Sequence, residues 1–500
     1  MTFPHTFAPQ AGPIPLQYLD DNFNALTAPT GSSLVGYLPA GTGAVATTVQ
    51  AKLRESVSVL DFGADPTGIA DATTAFTNAL AVGRNVYAPA GTYNLNALAL
   101  LSNHAIFGDG MRRTIFIPAS GATSVLSVDA TSVAKQNVTL QDLCIKNPNN
   151  VLSCTGLEFK GTNVYSINDQ HNLTNIEIGP VGWEGTTYKF AKGVKVTGRL
   201  ISVTATNVIN SANTINWYST TDPATPAFNG HVFTNCVFQL AEQQGFYHTG
   251  QSTNVKFVGG YNQQNNALNV AGVAGADISD TFNWDFDNHG FEANGSGVAV
   301  DAANPLNNSI SLRHRGTICI DLSIHGGYFT SSGTNIVIDS TVIGVQGGRI
   351  ENNYFNCLAG GFTFATLAQG GSNSTGKPIT FSHANVCNGQ ISIYTAGIGI
   401  NAVVEQNNST GYITAAASGI DLLQTNVFTC NISAPVTLSA IANMIPGCKL
   451  TILNSIYGTS TVTIAAGLMV SGVASTVLTG TVGIFQVQGA PAPGKFVRLQ

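Results

Sequence analysis

The 500-residue chain is poor in charge and rich in apolar residues, which excludes two classes of protein at once. Charged residues make up 9%, hydrophobic residues 44%, and the formal net charge is -6. Disordered chains show the opposite balance, and nucleic-acid-binding domains need a basic patch, which this sequence lacks. No CxxC pair and no paired His spacing occurs, so we expect neither a bound metal nor a cofactor. A chain of this length predicts two or three domains.

Residues 1–52 are rich in Pro, Gly and Thr and contain one short helical pattern, Leu16–Leu26. We expect this segment, which has too few apolar residues for a core, to attach the protein to a larger assembly or to form a neck between subunits. The alternative is a disordered tail. The first residues, MTFPHTFAPQ, have neither the basic nor the apolar region of a signal peptide. No apolar run reaches membrane-spanning length, so we expect no membrane insertion.

A helix followed by closely spaced strands is predicted between Lys52 and Pro118. The helix is expected to have Asp71 as its N-cap, to end at Gly83, and to carry one apolar stripe of Ala72, Ala75, Phe76, Ala79 and Leu80. A short β-like run precedes it at Val57–Phe62. The strands expected after it are Val86–Ala88, Tyr93–Leu95, Ala105–Phe107 and Thr114–Ile117. One amphipathic helix before many strands is typical of a cap on the open end of a stacked β-solenoid.

Residues from about 85 to 425 return to one theme, a short strand and then a Gly or Asn turn. HVFTNCVFQLAEQQGF begins at His231, NVKFVGGYNQQNNALN at Asn254 and DISDTFNWDFDNHGFE at Asp277, an offset of 23 residues twice. This register predicts two neighbouring inward columns of side chains: Phe238, Tyr261 and Trp284 in one, and Cys236, Gly259 and Phe282 in the other. Adjacent coils are expected about 4.8 Å apart.

Residues 426–500 are almost uncharged and are expected to form a separate small β domain. Their charged residues are Lys449, Lys495 and Arg498. Short antiparallel strands are predicted at Val436–Leu438, Lys449–Leu453, Ser460–Ile464, Val477–Thr479 and Ile484–Val487. So low a charge predicts burial against partner subunits, and the domain would then serve trimerisation or carbohydrate binding. The alternative is an ordinary end domain.

The stretch SVLDFGADPTGIADATTAF…NVYAPAGTY…IFGDG, residues 58–110, resembles the entry motif of the pectate-lyase-like superfamily. LQYLDDNF at Leu16, LVGY at Leu34 and TVQAKL at Thr48 are similar to the N-terminal regions of bacteriophage tailspike proteins. This resemblance implies an all-β chain in which residues 53–425 form a capping helix and a right-handed parallel β-helix. It also implies a homotrimer bound to phage tail or baseplate proteins and located in the virion. Such a protein binds and depolymerises a bacterial surface polysaccharide, either capsule or O-antigen.

The densest cluster of carboxylate and aromatic residues is FNWDFDNHGFE, which begins at Phe282. In a strand its first six residues alternate, with the three aromatic side chains facing the core and Asn283, Asp285 and Asp287 facing outward. Carboxylates at i and i+2 have Cα atoms roughly 6.5–7 Å apart, close to the separation in inverting glycosidases. Asp285 and Asp287 are therefore the predicted acid and base, and the 23-residue register adds Glu242 as a third carboxylate. The alternative is a structural or sugar-binding role.

A second cluster surrounds His325, which ends an alternating run of Ile and Leu and is expected to face outward. If the 26-residue similarity between IHGGYF and IENNYF reflects register, His325 and Glu351 lie on adjacent coils with Arg349 beside them. Arg313 lies one turn earlier. These four residues are predicted to bind substrate, and a His or Tyr base with Arg beside it suits β-elimination on a uronic-acid polymer. The alternative is that surface charges pair across the ladder.

Two segments, Trp183–Phe190 and Trp217–Asn229, are predicted to be insertions in outer loops. Trp217 is the predicted sugar-stacking residue, and Trp183, Tyr188 and Tyr218 are further candidates; the alternative is that these rings pack the loops onto the solenoid. Three functions stay open. Glycoside hydrolysis by paired carboxylates leads, and a polysaccharide lyase and a non-catalytic receptor-binding spike are the alternatives.

Overall fold

The computed structural model describes residues 3–357 with gaps at 7–11, 84, 163–167, 181–188, 222–226, 296, 299–308, 332–333 and 339–343. Beyond residue 357 it describes the backbone of the strands given below and a few residues beside them.

The N-terminal segment forms short elements that bury little apolar surface. They are an α-helix at Leu16–Thr27, a 3-10 helix at Gly31–Ser33, paired antiparallel strands at Gly36–Tyr37 and Thr47–Thr48, and an α-helix at Val49–Leu53. The helix predicted from Leu16 is therefore confirmed. None of its residues is buried, and Leu16 and Phe23 stay largely exposed. None of the described helices is long and apolar enough to cross a bilayer.

A third α-helix, Thr73–Val82, covers the first coil of the stack as predicted. Phe76 packs edge-on against Tyr93 and Phe116, with ring centroids 5.3 Å apart in both pairs. The N-cap position falls on Ala72 and not on Asp71, whose carboxylate instead accepts a hydrogen bond from the Thr73 amide at 2.8 Å. The helix thus buries an apolar face that the stack would otherwise expose.

The run predicted as β-like at Val57–Phe62 is only partly a strand. Val57–Ser58 pairs with the next coil, and Val59–Phe62 forms a 3-10 helix that ends at Gly63, where φ is +79°. The Ser58 and Asp61 side chains cap this helix reciprocally, a local arrangement that competes with strand pairing.

The body of the molecule is a single stack of parallel strands, with 36 strands in the described backbone. The strands of its first half are Val57–Ser58, Thr67–Asp71, Asn85–Ala88, Gly91–Leu95, Leu98–Ala99, Ala105–Gly108, Thr114–Pro118, Ser124–Asp129, Lys135–Gln136, Thr139–Ile145, Thr155–Lys160, Asn168–Asp169, Asn172–Ile178, Lys192–Thr197, Leu200–Ile201, Thr204–Ser211, Ile215–Thr220 and Phe228–Asn229. The strands of its second half are Val232–Thr234, Val237–Gln239, Phe246–Thr249, Ser252–Val258, Tyr261–Gln263, Ala274–Asp287, Gly290–Glu292, Ile310–His325, Tyr328–Ser331, Thr334–Ile338, Gly344–Gln346, Arg349–Glu351, Tyr354–Cys357, Thr363–Leu367, Ile379–Phe381, Val386–Asn388, Ser392–Tyr394 and Ala402–Val404.

Each coil runs along three faces, and strands pair in parallel along each face, which makes the chain a parallel β-helix as predicted. The faces are identified here by residues in register: Phe257, Phe286 and Ile324 on the first face, Tyr261 and Gly290 on the second, and Tyr247, Asp277 and Arg313 on the third. The interior is mainly apolar, and fully buried His and Asn side chains lie among the apolar ones. Phe233, Phe257 and Phe286 form one stacked inward column with successive ring centroids 4.7 Å apart.

The predicted 23-residue register is wrong. Phe238 lies opposite Asn262, Tyr261 opposite Gly290, and Trp284 opposite Val255, so neither predicted column forms. The coils differ in length because the connections between the second and third faces differ, as between Gln263 and Ala274. A slip of one residue in a strand moves each side chain to the opposite side of the sheet, so a fixed period fails.

Left-handed Asn residues turn the chain onto the first face. Asn254 and Asn283 have φ of 54° and 55°, and the Asn283 amide donates to Asn254 Oδ1 at 2.8 Å. The turn interrupts the alternation of the strand, so Phe282, predicted to face the core, is only half-buried, whereas Trp284 and Phe286 are buried as predicted.

Asn283→Ala is expected to destabilise the fold by about 1–2 kcal/mol, because Ala is strained at positive φ and cannot make the amide ladder. The thermal midpoint and the denaturant midpoint measure the change. Asn283→Gly is the matched control, since Gly accepts the backbone geometry and loses only the hydrogen bond. Equal stability of the Ala variant and the wild type would contradict the assignment.

The strands after residue 404 form smaller sheets. They are Gly411–Ile413, Ile420–Asp421, Val427–Cys430, Val436–Leu438, Ile441–Ala442, Lys449–Asn454, Val462–Ile464, Ser475–Val477, Val482–Gln488 and Lys495–Arg498. The prediction that they are antiparallel is only partly right. Lys449–Asn454 pairs antiparallel with Val482–Gln488 but parallel with Val427–Cys430. The parallel strand order of the stack therefore extends into this region.

Candidate functional site

Charged side chains from three successive coils meet on the outside of the first face. Lys256 lies opposite Asp285, and Asp287 lies opposite His325. Trp284 and Phe286 point into the core, so the alternation of the strand turns both carboxylates outward, as predicted. We call Lys256, Asp285, Asp287 and His325 the acid–base cluster.

The two carboxylates of the acid–base cluster share two partners, the Lys256 ammonium and the His325 ring. Lys256 Nζ lies 3.1 Å from Asp285 Oδ2 and 3.6 Å from Asp287 Oδ2. His325 Nε2 lies 2.8 Å from Asp285 Oδ1, and His325 Nδ1 lies 3.4 Å from Asp287 Oδ1. Each carboxylate side chain is 24% exposed, so the cluster is held in place yet open to a ligand.

The members of the acid–base cluster differ in whether they can donate or accept a proton. The hydrogen bond from Lys256 to Asp285, followed by the charge of that carboxylate, raises the pKa of the Lys256 ammonium, which therefore acts as a fixed cation and not as a base. Asp285 Oδ1 is buried and receives no aligned hydrogen bond among the described residues, although the His325 ring lies 2.8 Å away. This oxygen is the acceptor available to an imidazole proton of His325.

Arg349 and Glu351 extend the acid–base cluster by one coil. His325 pairs in register with Glu351, which confirms the predicted 26-residue spacing. Arg349 Nη1 lies 3.6 Å from Glu351 Oε2, and the Arg349 side chain is 67% exposed. The first face therefore carries a continuous charged strip along the stack axis.

The structure separates two predicted residues from this strip. Glu242 ion-pairs with Lys189 and accepts a hydrogen bond from Thr214 at 3.2 Å, in the connection between the second and third faces. Its predicted place beside the carboxylate pair is wrong because the 23-residue register fails. Arg313 lies on the third face, where its Nη1 donates to the Gly272 carbonyl at 3.0 Å.

Trp217 is a core residue and not an exposed sugar-stacking ring. It lies in the strand Ile215–Thr220, is fully buried, and stacks on Phe246 with a centroid distance of 5.8 Å. Alternation along this strand turns Tyr218 outward instead. Trp183 and Tyr188 lie outside the described residues.

Sequence reasoning missed Lys256, although a signal for it was present. Lys256 stands between Val255 and Phe257, both of which are buried, so the same alternation that exposes Asp285 also exposes Lys256. Only the correct register shows that the two residues are neighbours. Among the described residues, no group of three or more His, Cys, Asp or Glu side chains is arranged to hold a metal ion.

The third face carries a second group of charged and aromatic side chains, which contact one another. Tyr218 and Tyr247 stack with centroids 5.3 Å apart, Lys192 lies over the first ring and Arg315 over the second. Arg315 Nε also contacts Asp277 Oδ1 at 2.6 Å. Because these groups pair with one another, we assign them to holding the face together.

Comparison with known proteins confirms the pectate-lyase-like resemblance for the capped first half of the chain. The model of the family described as "Rhamnogalacturonase A/epimerase, pectate lyase-like" matches residues 56–301, a range that includes Lys256, Asp285 and Asp287. No relative was found among curated proteins.

Solved structures share the parallel β-helix fold at low sequence identity. The A-module of Azotobacter vinelandii mannuronan C-5 epimerase AlgE6 is 14% identical with a TM-score of 0.52, covering 81% of this chain and 97% of that one. ORF18 of Geobacillus virus E2 is 13% identical with a TM-score of 0.45, covering 94% and 84%. Tailspike protein 3 of bacteriophage CBA120 is 14% identical with a TM-score of 0.43, covering 81% and 71%. At these identities the likeness concerns the fold alone.

Proposed function

We propose that this parallel β-helix protein is a phage tailspike that binds and cleaves a bacterial surface polysaccharide at the acid–base cluster. The observation that carries the proposal is the convergence of two carboxylates, an imidazole and an ammonium from three coils. Charged residues are only 9% of the chain, and four side chains that can carry charge meet at this place. A strip that runs along the stack axis also suits an extended polymer.

Glycoside hydrolysis is the leading reaction, because the acid–base cluster supplies a base and a proton donor side by side. One ammonium contacts both carboxylates, so the two contacting oxygens are at most about 7 Å apart, an upper limit that only just reaches the separation in inverting glycosidases. Asp287 takes a proton from water as the water oxygen bonds to the anomeric carbon. The glycosidic C–O bond breaks, and the leaving oxygen takes the proton carried by Asp285.

β-Elimination is the second candidate, and the contact of His325 with both carboxylates favours it. His325 would take the proton from C5 of a uronic acid, the C4–O bond would break, and a C4=C5 double bond would form as the leaving oxygen takes a proton from water. Lys256 and the exposed Arg349 would offset the charge of the uronate carboxylate. Arg313 has no part in this reaction, because it lies on the third face.

Product analysis decides between these reactions. Purified capsular polysaccharides and lipopolysaccharides are incubated with the protein while reducing ends and the ultraviolet absorbance of unsaturated uronates are followed together. New reducing ends without absorbance indicate a hydrolase, and absorbance indicates a lyase. Binding without either signal would make the protein a non-catalytic receptor-binding spike and overturn the catalytic proposal.

The tailspike proposal includes a homotrimer that is attached to phage tail or baseplate proteins through residues 1–52. The exposed apolar side chains of the first helix, Leu16 and Phe23, support attachment, since none of the described residues buries them. Residues 426–500 are proposed for trimerisation or carbohydrate binding. Light scattering on the full-length protein is expected to give three times the chain mass of 51.9 kDa. A monomer would contradict this part of the proposal.

A further inference from the structure

The second face carries an outward ladder of Tyr residues that one Gly interrupts. In register along this face stand Tyr261, Gly290, Tyr328 and Tyr354. Gly290 is not in the left-handed backbone region, so its conformation does not demand Gly. A Cβ at this position would lie 3.3 Å from the Cβ of Tyr261, tighter than ordinary contact, so Tyr261 would have to shift by a few tenths of an ångström. The column therefore lacks a ring at this coil.

The space at Gly290 is bounded by an exposed aromatic stack. The rings of Tyr328 and Tyr354 are 5.3 Å apart and nearly parallel, and these residues are 39% and 37% exposed. In the described part of the chain, Tyr328 stacks on no ring other than Tyr354. Its other surface consequently faces the coil of Gly290, which contributes no side chain.

The dimensions of this space match a single sugar ring. Coils are about 4.8 Å apart, so Tyr261 and Tyr328, two coils from each other, are separated by about 9.6 Å along the axis. A ring in van der Waals contact with groups on both sides needs about 3.5–4 Å on each side. One pyranose therefore fits between the two residues, and a second ring does not.

The stacked pair Tyr218 and Tyr247 on the third face, which we assign to a structural role, can be compared with the pair Tyr328 and Tyr354. There Lys192 covers the outer surface of Tyr218, and Arg315 covers that of Tyr247. Among the described residues, no Lys or Arg lies over the Tyr328 ring in this way. The contrast within one molecule indicates that the second-face ladder is left open to a ligand.

Polar groups around the space suit sugar hydroxyls. Gln263 and Glu292 occupy the next outward column of the second face, and the Gln263 amide donates to Glu292 at 3.2 Å. Asp287 of the acid–base cluster precedes Gly290 by one turn, formed by Asn288 with φ of 53°. A polymer bound across the turn at Asn288 would contact both the acid–base cluster and the space at Gly290.

We propose that Tyr261, Gly290 and Tyr328 form a notch that holds one pyranose ring of the polysaccharide by stacking. The notch rests on the proposed function and adds a binding subsite on the second face, next to the acid–base cluster. The notch would therefore bind a sugar unit that is not the one at which the polymer is cleaved.

The test measures binding of wild type and variants to immobilised purified bacterial polysaccharides. Gly290→Tyr fills the notch and is expected to weaken binding about 10- to 100-fold, whereas Gly290→Ala, which adds only a methyl group, is the matched control. Tyr328→Ala is expected to weaken binding similarly and Tyr328→Phe to preserve it, which keeps the test decisive if Gly290→Tyr fails to fold.

Each result has a distinct meaning. Unchanged binding by Gly290→Tyr and Tyr328→Ala, with a wild type that binds, would overturn the notch alone. A changed oligomeric state with unchanged affinity would assign the ladder to a subunit contact and also overturn it. A wild type that binds none of the polysaccharides would instead remove the proposed function on which the notch rests.

Discussion

Asp285→Asn is expected to lower polysaccharide turnover by about 10²–10⁴-fold while polymer binding is retained. Asn keeps the shape of the side chain but can neither carry a proton to the leaving oxygen nor hold the charge that orients His325. The contact of Asp285 with both Lys256 and His325 makes it the centre of the acid–base cluster. The measurement is kcat/KM from whichever product signal the wild type gives.

Asp129→Asn is the matched control for this substitution. Asp129 is an exposed carboxylate at the end of a third-face strand, where it accepts hydrogen bonds from Thr131. We expect its replacement to leave turnover unchanged. Thermal midpoints of both variants should stay close to that of the wild type, since partly exposed ion pairs contribute about 0–1 kcal/mol. Full turnover by Asp285→Asn would remove the catalytic assignment.

Acidification from pH 7 to about pH 4 is expected to unfold the β-helix, because five His residues are buried in the neutral form. Burial lowers the pKa of His171, His248 and His289 to about 4 and that of His231 and His314 to about 3. The unfolded chain takes up protons near pH 6.5, so it binds more protons than the folded chain below that pH. Stability is therefore complete above about pH 6.5 and is lost as the pH falls toward these values.

Hydrogen bonds give the neutral rings a specific role. Nδ1 of His171 accepts from the Val138 amide at 3.2 Å, and Nδ1 of His231 accepts from the Val203 amide at 3.1 Å. Protonation destroys these acceptors. Full protonation of a ring whose pKa is lowered from 6.5 to about 4 removes roughly 3 kcal/mol from the free energy of unfolding. Three rings have this pKa and two have a lower one, so together they are large relative to the stability of a typical domain.

The denaturant midpoint measured at several pH values tests this expectation. His325→Gln is the matched control, because His325 lies on the outer surface and its loss should leave the acid transition in place. A midpoint that stays constant between pH 7 and pH 4 would show that the buried rings do not govern acid stability.

Local patterns predicted the fold well. The cap helix follows from an apolar stripe and a terminating Gly, and the outward direction of Asp285 and Asp287 follows from buried Trp284 and Phe286. These inferences depend only on residues close in sequence. They do not require the register between adjacent coils to be known.

Contacts between coils were predicted only where the connection is short. His325 and Glu351 are neighbours as expected, whereas Glu242 lies far from its predicted partners, because the coils in between have unequal lengths. Trp217 and Tyr218 show a related limit. Adjacent aromatic residues in a strand point to opposite sides, and the sequence does not state which of the two points inward.

The unequal connections between the second and third faces have a consequence for how such a protein diversifies. The number of residues between Gln263 and Ala274 differs from the number between Glu292 and Ile310, yet Lys256 and Asp285 keep their pairing, as do Asp287 and His325. Insertions at this edge therefore leave the spacing of the reactive groups unchanged. Under the proposed function, a lineage can change the length of these connections while it keeps the same acid–base cluster, so that binding specificity and reaction can evolve separately.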